Sequence, residues 1–242
     1  MSVGLIGFGR LGALLVRYFG KDVPMKVYDV RALDKQIRAL GAEPASLTEA
    51  AAQDIVIVCV PIGEFESLIR KIKGKVQKDA LIMDVCSVKE HPVRVMKKLL
   101  PKGVQILATH PNFGPDSAAL TLEGRKVAVC KVRVTAERYR KVKDLLESKG
   151  LQIVEMTPKE HDRQMASSLV LTHFIGRGLI DYGAKSTDVD TEGYRRLLRI
   201  LQTVQNDSWQ LFKDMNRYNA FAAPMRKRFL KSMRAMDAKV TR

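Results

Sequence analysis

Three glycines near the N-terminus follow the spacing G-x-G-x-x-G. The segment is Gly7-Phe8-Gly9-Arg10-Leu11-Gly12, between a short apolar run and an amphipathic helical pattern. In such a loop the first glycine permits a tight turn, the second lets the backbone approach a pyrophosphate, and the third lets the helix pack on the strand. The N–H groups at the helix start stabilise phosphate charge. We predict that residues 7–12 bind a dinucleotide; the alternative is a glycine-rich turn that has lost its ligand.

An acidic residue and a basic residue follow the next apolar run. Asp29 ends that run, close to the separation of about 20 residues found in dinucleotide-binding units. Its carboxylate is expected to accept hydrogen bonds from the adenosine ribose hydroxyls, which favours NAD. Arg31 carries a cation that can hold a 2′-phosphate, so NADP stays possible.

Polar or turn-forming residues also follow three other apolar runs. Pro61, Ser87 and His110 each come just after a candidate strand. Ligands of an open parallel sheet bind beyond the carboxyl ends of its strands, so these residues should share one rim with the glycine loop. His110 is a candidate general base, because imidazole can accept a hydroxyl proton near neutral pH. The other interpretation is a structural histidine.

Two further side chains suit an anionic group. His173 and Arg177 are four residues apart in a helical pattern, so they share one face. A neutral donor beside a fixed cation suits a substrate carboxylate, and a subunit-interface pair is the alternative. His161 lies about 18 Å before His173 along the same predicted helix and about a third of a turn around it, which indicates a supporting or domain-junction role. His91 is expected at the surface.

The elements that must position these residues fall into two regions. Candidate strands cover residues 3–6, 25–28, 54–60, 80–84, 105–108, 126–130 and 152–155. Valine- and isoleucine-rich runs suit strands buried on both faces, and the helical segments between them imply right-handed parallel crossovers. The predicted fold class is α/β, with a Rossmann-type, doubly wound, mostly parallel sheet in residues 1–156.

Beyond residue 156 the strand signals stop. Long helices are predicted at 158–184, 191–205 and 208–236, the first capped by Thr157 with Pro158 as its first residue. Residues 157–242 are predicted to form an all-helical substrate and dimerisation domain. Its apolar helix positions include Leu197, Leu198, Leu201, Val204, Trp209, Leu211, Phe212 and Met215. This surface indicates a homodimer, and burial within one subunit is the alternative.

Composition narrows the function classes. The net charge is +16, from 42 Lys and Arg against 26 Asp and Glu. No zinc spacing and no aromatic–basic interleaving accompany this charge, so we expect a basic surface that attracts anionic small molecules rather than nucleic acid. Cys59, Cys86 and Cys130 lack metal-ligand spacing and are expected as reduced thiols of a cytoplasmic protein without a metal. No apolar run is long enough to cross a bilayer, so no membrane partner is expected.

Several strings along the chain resemble signatures of the prephenate and arogenate dehydrogenases. Residues 109–117, T-H-P-N-F-G-P-D-S, resemble the family's T-H-P-M-F-G-P-[DE]-S. The other matching strings are D-V-C-S-V-K at 84–89, E-H-D-R at 160–163, L-T-H-F-I-G-R at 171–177, and two strings similar to the plant-type branch at 190–194 and 206–209. The resemblance covers nearly the whole chain in order.

This resemblance implies an activity and residue roles. It implies NAD(P)-dependent oxidative decarboxylation of prephenate to 4-hydroxyphenylpyruvate in tyrosine biosynthesis, with conversion of arogenate to tyrosine as the alternative. His110 would bind the ring hydroxyl and draw its proton. Ser87 would hydrogen-bond that histidine and the reacting hydroxyl, although Ser87-Val88-Lys89-Glu90 also fits a helix cap. The resemblance also implies that His173 contacts the substrate and that the chain forms a homodimer.

The chain departs from the family at two informative positions. Gln202 lies nearest the place where many bacterial members carry an arginine for the side-chain carboxylate, and Asn112 stands where methionine is usual. These departures leave prephenate and arogenate both open, with prephenate favoured through the association of Asp29 with NAD.

Readings from other classes also stay open. A non-catalytic dinucleotide sensor predicts nucleotide binding without turnover, and a purely structural Rossmann protein predicts no nucleotide binding. Another dehydrogenase with a Rossmann domain and helices, such as a β-hydroxyacid dehydrogenase or imine reductase, would need a helical-domain lysine motif, which is not found around His173.

Overall fold

A computed structural model describes residues 2–241 of the chain. The chain separates into two compact units, Met1–Lys159 and Glu160–Arg242. The first unit contains β1 (Val3–Ile6), β2 (Met25–Tyr28), β3 (Glu43–Pro44), β4 (Ile55–Val58), β5 (Leu81–Asp84), β6 (Gln105–Pro111), β7 (Lys126–Arg133) and β8 (Gln152–Glu155).

These eight strands form one sheet in the order β3-β2-β1-β4-β5-β6-β7-β8. Neighbouring strands are parallel except β6 and β7, which run antiparallel. From β1 the chain winds outward through β2 and β3, then returns to β4 on the other side of β1. This reversal of direction makes a doubly wound sheet, and confirms the predicted fold class.

All four residues of β1 and of β5 are buried, as expected for parallel strands covered on both faces. The helices of this unit are α1 (Arg10–Phe19), α2 (Asp34–Ala39), α3 (Leu47–Ala51), α4 (Ile62–Ile72), α5 (Glu90–Leu99) and α6 (Ala136–Glu147).

Strand bounds differ from the prediction before two site residues, Pro61 and His110. The strand before Pro61 is predicted to end at residue 60, but β4 ends at Val58. The sequence predicts that the strand before His110 ends at residue 108, but β6 runs on to Pro111. It does so because β6 stays paired with the antiparallel strand β7 as far as Pro111 opposite Val127. The two-residue edge strand β3 is not predicted, since so short a run carries no pattern.

From Pro158 onward the chain is helical. The elements are α7 (Pro158–Met165), a π-helical segment (Ala166–Val170), α8 (Leu171–Tyr182), α9 (Glu192–Val204), α10 (Trp209–Tyr218) and α11 (Ala222–Val240). Within residues 2–241, no helix is both long and apolar enough to cross a membrane.

The single helix predicted at 208–236 is wrong, because α10 and α11 are separate. Asn219 stands between them, its Oδ1 accepting a hydrogen bond from the Phe221 N–H at 2.9 Å and its Nδ2 donating to the Asp162 carbonyl at 2.7 Å. These bonds give the backbone an alternative to the helical pattern.

The helix predicted at 158–184 contains the π-helical segment, which the sequence does not predict. A π turn pairs residues i and i+5, so it takes up about one residue more than an α turn. The expected separation of His161 and His173 by about a third of a turn is therefore wrong. With the extra residue absorbed, the two histidines point to nearly the same side of the helical stretch, about 20° apart.

Candidate active site

The glycine loop joins β1 to α1 and has no room for larger residues at its ends. Gly7 has a φ of +104°, and a Cβ there would lie 2.1 Å from the Cys59 carbonyl oxygen. A Cβ on Gly12 would lie 2.2 Å from the Gly7 carbonyl oxygen. The first glycine thus permits the turn, and the third lets α1 pack against it.

The middle glycine faces open space. A Cβ on Gly9 would meet no heavy atom within 4 Å, and no side chain caps the N-terminus of α1 at this residue. The first turn of α1 contains no acidic residue. An open backbone position before an uncapped helix start fits the pyrophosphate of a dinucleotide.

Asp29, just beyond β2, is bound by the loop and by Arg31. Its Oδ2 accepts a hydrogen bond from the Phe8 N–H at 2.7 Å, and its Oδ1 accepts from Arg31 Nε at 2.8 Å. Burial raises the pKa of this carboxyl, but the hydrogen bonds from Arg31 and Phe8 outweigh burial and lower it overall. Asp29 is therefore an anion already paired with a cation, the arrangement that bears directly on the choice between NAD and NADP.

The remaining predicted loop residues have distinct surroundings. Phe8 is buried, and Leu11 packs against the core. Arg10 Nη2 lies 2.5 Å from Asp116 Oδ1, which joins the glycine loop to the 109–117 string. Pro61 is the N-cap residue of α4 and follows the end of β4 at Val58 after two intervening residues.

Ser87 lies in the loop between β5 and α5 and does not cap the helix. The N-cap of α5 is Lys89, with no side-chain cap bond, so the capping interpretation of Ser87 is wrong. Ser87 Oγ is buried and has no hydrogen-bond partner among the described residues. A buried unpaired hydroxyl costs free energy, so a ligand that bonds it would be stabilised.

His110 lies within β6, opposite Ala128 of β7, and exposes 7% of its surface. The parallel strands β5 and β6 pair Asp84 with Ala108, so Ser87 and His110 lie just beyond this pair at the same edge of the sheet. The glycine loop, Asp29 and Pro61 follow the ends of β1, β2 and β4, which are parallel to them.

A buried ion pair below this edge was not predicted. Lys89 and Asp84 have fully buried side chains, and Lys89 Nζ donates to Asp84 Oδ2 and to the Thr109 carbonyl. Both residues belong to the quoted 84–89 string, but nothing in the sequence indicates that they pair.

In the helical unit, His173 and Arg177 on α8 contact Asp207, which precedes α10, and Arg177 also contacts Trp209, the first residue of α10. His173 Nε2 lies 3.5 Å from Asp207 Oδ2. Arg177 donates to the Asp207 carbonyl, and its guanidinium carbon lies 4.8 Å from the centre of the Trp209 ring. Among the described residues, His173 Nδ1 and Arg177 Nε are buried without partners. Asp207 and Trp209 belong to the quoted 206–209 string, but their contacts with α8 were not predicted, because they lie about 30 residues from it in sequence.

The other two histidines have structural surroundings. His161 is fully buried, with Nδ1 2.8 Å from Asp162 Oδ1. His91 is not at the surface as predicted: it exposes 8% and lies beside Arg94, whose Nη2 is 3.3 Å from its Nδ1. It is buried because it occupies the inward face of α5.

Metal ligands are not grouped in the described chain. Within residues 2–241, no cluster of three or more His, Cys, Asp or Glu side chains could hold a metal ion.

A family model described as the nucleotide-binding domain of prephenate dehydrogenase matches residues 13–155, more than half of the chain. The chain belongs to the prephenate dehydrogenase family. The matched range begins just after the glycine loop. The geometry of that loop therefore supports nucleotide binding independently of this match. A second model, described as the TYRAAT1-like C-terminal domain, matches residues 179–242.

Curated relatives of this prephenate dehydrogenase family member include enzymes named for either substrate. Arogenate dehydrogenase 2, chloroplastic, of Arabidopsis thaliana is 32% identical over 230 residues, which are 90% of this chain and 64% of that protein. A probable arogenate/prephenate dehydrogenase of Methanocaldococcus jannaschii is 28% identical over 228 residues, 89% of this chain and 50% of that protein. The chain thus spans about half to two thirds of the length of these relatives.

Solved structures of the family share the fold. Prephenate dehydrogenase of A. aeolicus, in complex with hydroxyphenyl propionate and NAD+, has a TM-score of 0.80 at 21% identity, covering 100% of this chain and 91% of that one. Arogenate dehydrogenase of Synechocystis has a TM-score of 0.73 at 20% identity, with coverage of 100% and 91%. At these identities the similarity shows the architecture alone.

Proposed function

We propose that this chain is a nicotinamide-dependent dehydrogenase that converts prephenate to 4-hydroxyphenylpyruvate by oxidative decarboxylation, in tyrosine biosynthesis. The observation that carries the proposal is the buried, unpaired Ser87 Oγ at the same sheet edge as His110 and the open glycine loop. A hydroxyl and an imidazole beyond parallel strands suit the binding and deprotonation of a substrate hydroxyl.

The chemistry assigns one role to each of these side chains. His110 accepts the proton of the ring hydroxyl, and Ser87 hydrogen-bonds that hydroxyl. The hydrogen on the same ring carbon leaves with its electron pair. The ring carboxylate leaves as carbon dioxide, and its bonding pair completes the aromatic ring. A bound nicotinamide supplies the acceptor for the hydride.

We propose NAD as the cofactor, with NADP possible. Gly7, Gly9 and Gly12 would hold the pyrophosphate, with Arg10 and Pro61 beside it. Asp29 would accept the ribose hydroxyls once Arg31 turns aside, whereas Arg31 in its present position would suit a 2′-phosphate.

His173 and Arg177 are proposed to bind a substrate carboxylate. Burial lowers the pKa of His173, so its imidazole is neutral at pH 7 and can donate a hydrogen bond. Arg177 is held by the Trp209 ring and the Asp207 carbonyl, which limits its rotamers and leaves its buried Nε without a partner among the described residues. A guanidinium held in one orientation is suited to binding a carboxylate. Arg177 could serve this purpose in a chain that has Gln202 near the position of the family's usual arginine.

Arogenate is the second candidate substrate. Relatives named arogenate dehydrogenase occur among the curated proteins and the solved structures, so this substrate is supported as well as prephenate. The two substrates differ in the side chain that carries the second carboxylate, where arogenate has an amino group.

We also propose a homodimer in a reducing compartment, the cytoplasm. In the helical unit, Tyr182, Trp209 and Met233 are large apolar residues with most of their surface exposed. Val204 and Met215, which were predicted in the same apolar surface, are buried instead. The three cysteines are free thiols, which suits a reducing compartment.

The test is absorbance at the reduced-nicotinamide band, with prephenate or arogenate and NAD or NADP in all four pairings. Turnover of prephenate with either cofactor supports the proposal. Turnover of arogenate alone would identify arogenate as the substrate instead. Absence of turnover in all four pairings, from folded protein that binds NAD, contradicts it and favours the dinucleotide sensor.

A further inference from the structure

One lysine beneath the sheet edge has no contact with solvent. Lys89 and Asp84 both expose 0% of their side chains, and Lys89 Nζ donates to Asp84 Oδ2. The same ammonium donates to the Thr109 carbonyl at 2.5 Å. Lys89 therefore bridges the loop after β5 and the end of β6.

Two further bonds close this bridge. Asp84 Oδ2 accepts a hydrogen bond from the Cys86 N–H at 3.0 Å, and Thr109 Oγ1 donates to the Asp84 carbonyl at 2.6 Å. The bonded residues Cys86 and Lys89 lie on either side of Ser87 in the sequence. The bond from Lys89 also holds Thr109, the residue before His110.

The buried ion pair of Lys89 and Asp84 is not expected to add much to the stability of the fold. Burying two charges costs the free energy of their hydration. Their mutual attraction offsets this cost only when all their hydrogen bonds are made. Asp84 Oδ1 has no partner among the described residues, and complete burial raises the pKa of this carboxyl against the opposing effect of Lys89. An apolar pair of similar volume would serve the core at least as well.

We propose that Lys89 and Asp84 are positioning residues, which hold Ser87 and His110 in the mutual geometry that proton abstraction needs. This inference rests on the proposed function. Lys89 acts on His110 through the Thr109 carbonyl, and on Ser87 through the loop that Asp84 Oδ2 anchors at Cys86. Reacting groups displaced by about 1 Å lose about 10²-fold in rate.

A double variant separates positioning from stability. Lys89→Met alone leaves an unpaired buried carboxylate, whereas Asp84→Asn with Lys89→Met removes both charges and should recover much of the thermal stability. Positioning predicts that the double variant folds and binds NAD with unchanged Kd, yet loses about 10²-fold in kcat, because the bond to the Thr109 carbonyl is absent. Lys131→Met is the matched control, since it breaks a surface pair with Glu155 in the same unit and should keep kcat.

Two single variants test the proposal if the double variant does not fold. Asp84→Asn alone keeps the bond from Lys89 to the Thr109 carbonyl, so it should retain more kcat than Lys89→Met at a comparable loss of stability. Equal losses of kcat in these two variants would contradict the proposal.

A readout without turnover separates this inference from the proposed function. The chain has four histidines, so the imidazole resonances are assignable by NMR with His110→Gln. Positioning predicts that the His110 resonance shifts or broadens in the Lys89 variants and stays in place in Lys131→Met. An unchanged His110 resonance, or a double variant with wild-type kcat, overturns the inference. If the wild type turns over no substrate, the proposed function has failed and the His110 resonance alone decides the positioning.

Discussion

Asp29 and Arg31 form an ion pair at the position where dinucleotide-binding folds distinguish their cofactors. The guanidinium donates to both carboxylate oxygens and to the Phe8 carbonyl, so both oxygens of Asp29 already accept hydrogen bonds from Arg31. Asp29 repels a 2′-phosphate and Arg31 attracts one. The preference between NAD and NADP therefore depends on which of these two residues faces the cofactor.

Removing the arginine should move this preference towards NAD. In Arg31→Ala, Asp29 is free to accept the ribose hydroxyls, and the only partner for a 2′-phosphate in this pair is lost. The ratio of Kd for NADP to Kd for NAD should rise about 10- to 100-fold, the worth of one charge-assisted hydrogen bond. Fluorescence titration with the reduced cofactors measures the ratio. Arg38→Ala, an exposed arginine on α2, is the control, and a ratio equal to that of the control would contradict the role of Arg31.

His173 should titrate below the ordinary histidine value of 6.5. Burial lowers its pKa, Asp207 opposes that shift and Arg177 adds to it. Asp207→Asn should lower the pKa further, because the opposing charge is removed. Since the unfolded chain binds this proton more readily than the folded chain, the contribution of His173 to stability is present above pH 6.5 and is lost as the pH falls below it. An NMR titration gives the pKa directly. A value at or above the ordinary one would contradict the lowering by burial, and an imidazole that is mostly protonated at neutral pH would contradict the role of neutral donor.

At the scale of residues, the sequence predicts contacts between neighbouring segments better than contacts between distant ones. The roles of Gly7 and Gly12 follow from a turn and a close approach between adjacent elements, so spacing predicts them. The pairing of Lys89 with Thr109, and of Arg177 with Trp209, depends on tertiary packing between segments 20 or more residues apart. No local pattern encodes such contacts, although Ser87 and His110 could be predicted from strand ends and the family strings.

Two glycines of α8 test the packing of the helical elements. A Cβ on Gly176 would lie 2.7 Å from a Val204 methyl and 2.9 Å from an Ile200 methyl, so α8 and α9 are in close contact there. A Cβ on Gly178 would meet no heavy atom within 4 Å. The same substitution should therefore have opposite effects at these two positions of one helix.

We expect Gly176→Ala to destabilise the protein by about 1–3 kcal/mol through overpacking. Gly178→Ala should stabilise it by about 0.5–1 kcal/mol, because alanine loses less backbone entropy than glycine in a helix. Urea unfolding followed by circular dichroism measures both changes. Destabilisation of equal size at both positions would contradict the close contact of α8 with α9.

At the scale of elements, periodicity predicts regular helices and strands but not their interruptions. The bounds of β1, β2 and β8 agree with the prediction, because apolar runs and flanking turns define them. The break at Asn219 is accompanied by individual hydrogen bonds, such as that between Asn219 and the Asp162 carbonyl, which leave the apolar pattern unchanged. The π-helical segment likewise interrupts no apolar periodicity that the sequence shows.

At the scale of the whole molecule, the chain has a doubly wound unit and a helical unit, the combination that the predicted fold class contains. What the pattern does not show is which apolar helix faces stay uncovered. Leu230, Met233 and Met236 on α11 are exposed, and they recur at helical spacing. Such a stripe suits contact with a second copy of the chain.

Met233→Glu should weaken the proposed homodimer by placing a charge in this stripe. Met233 exposes 52% of its surface, so the substitution should leave the subunit folded. Light scattering over a dilution series should show dimer for the wild type and a dissociation constant raised about 10-fold or more for the variant, the effect of about 1.4 kcal/mol. Ala235→Glu adds the same charge about 200° around the helix and should leave the dimer intact. A monomeric wild type, or equal effects of the two variants, would contradict this interface.

The most direct test of the central claim compares two histidines in the pairing that the wild type turns over. His110→Gln should lose about 10²–10⁴-fold in kcat, the usual contribution of a general base, with an unchanged Kd for the cofactor. His91→Gln, which replaces a histidine on the inward face of α5, should keep wild-type kcat in folded protein. A folded His110→Gln enzyme with the kcat of the wild type would contradict the account, because the ring hydroxyl would then lose its proton without this imidazole.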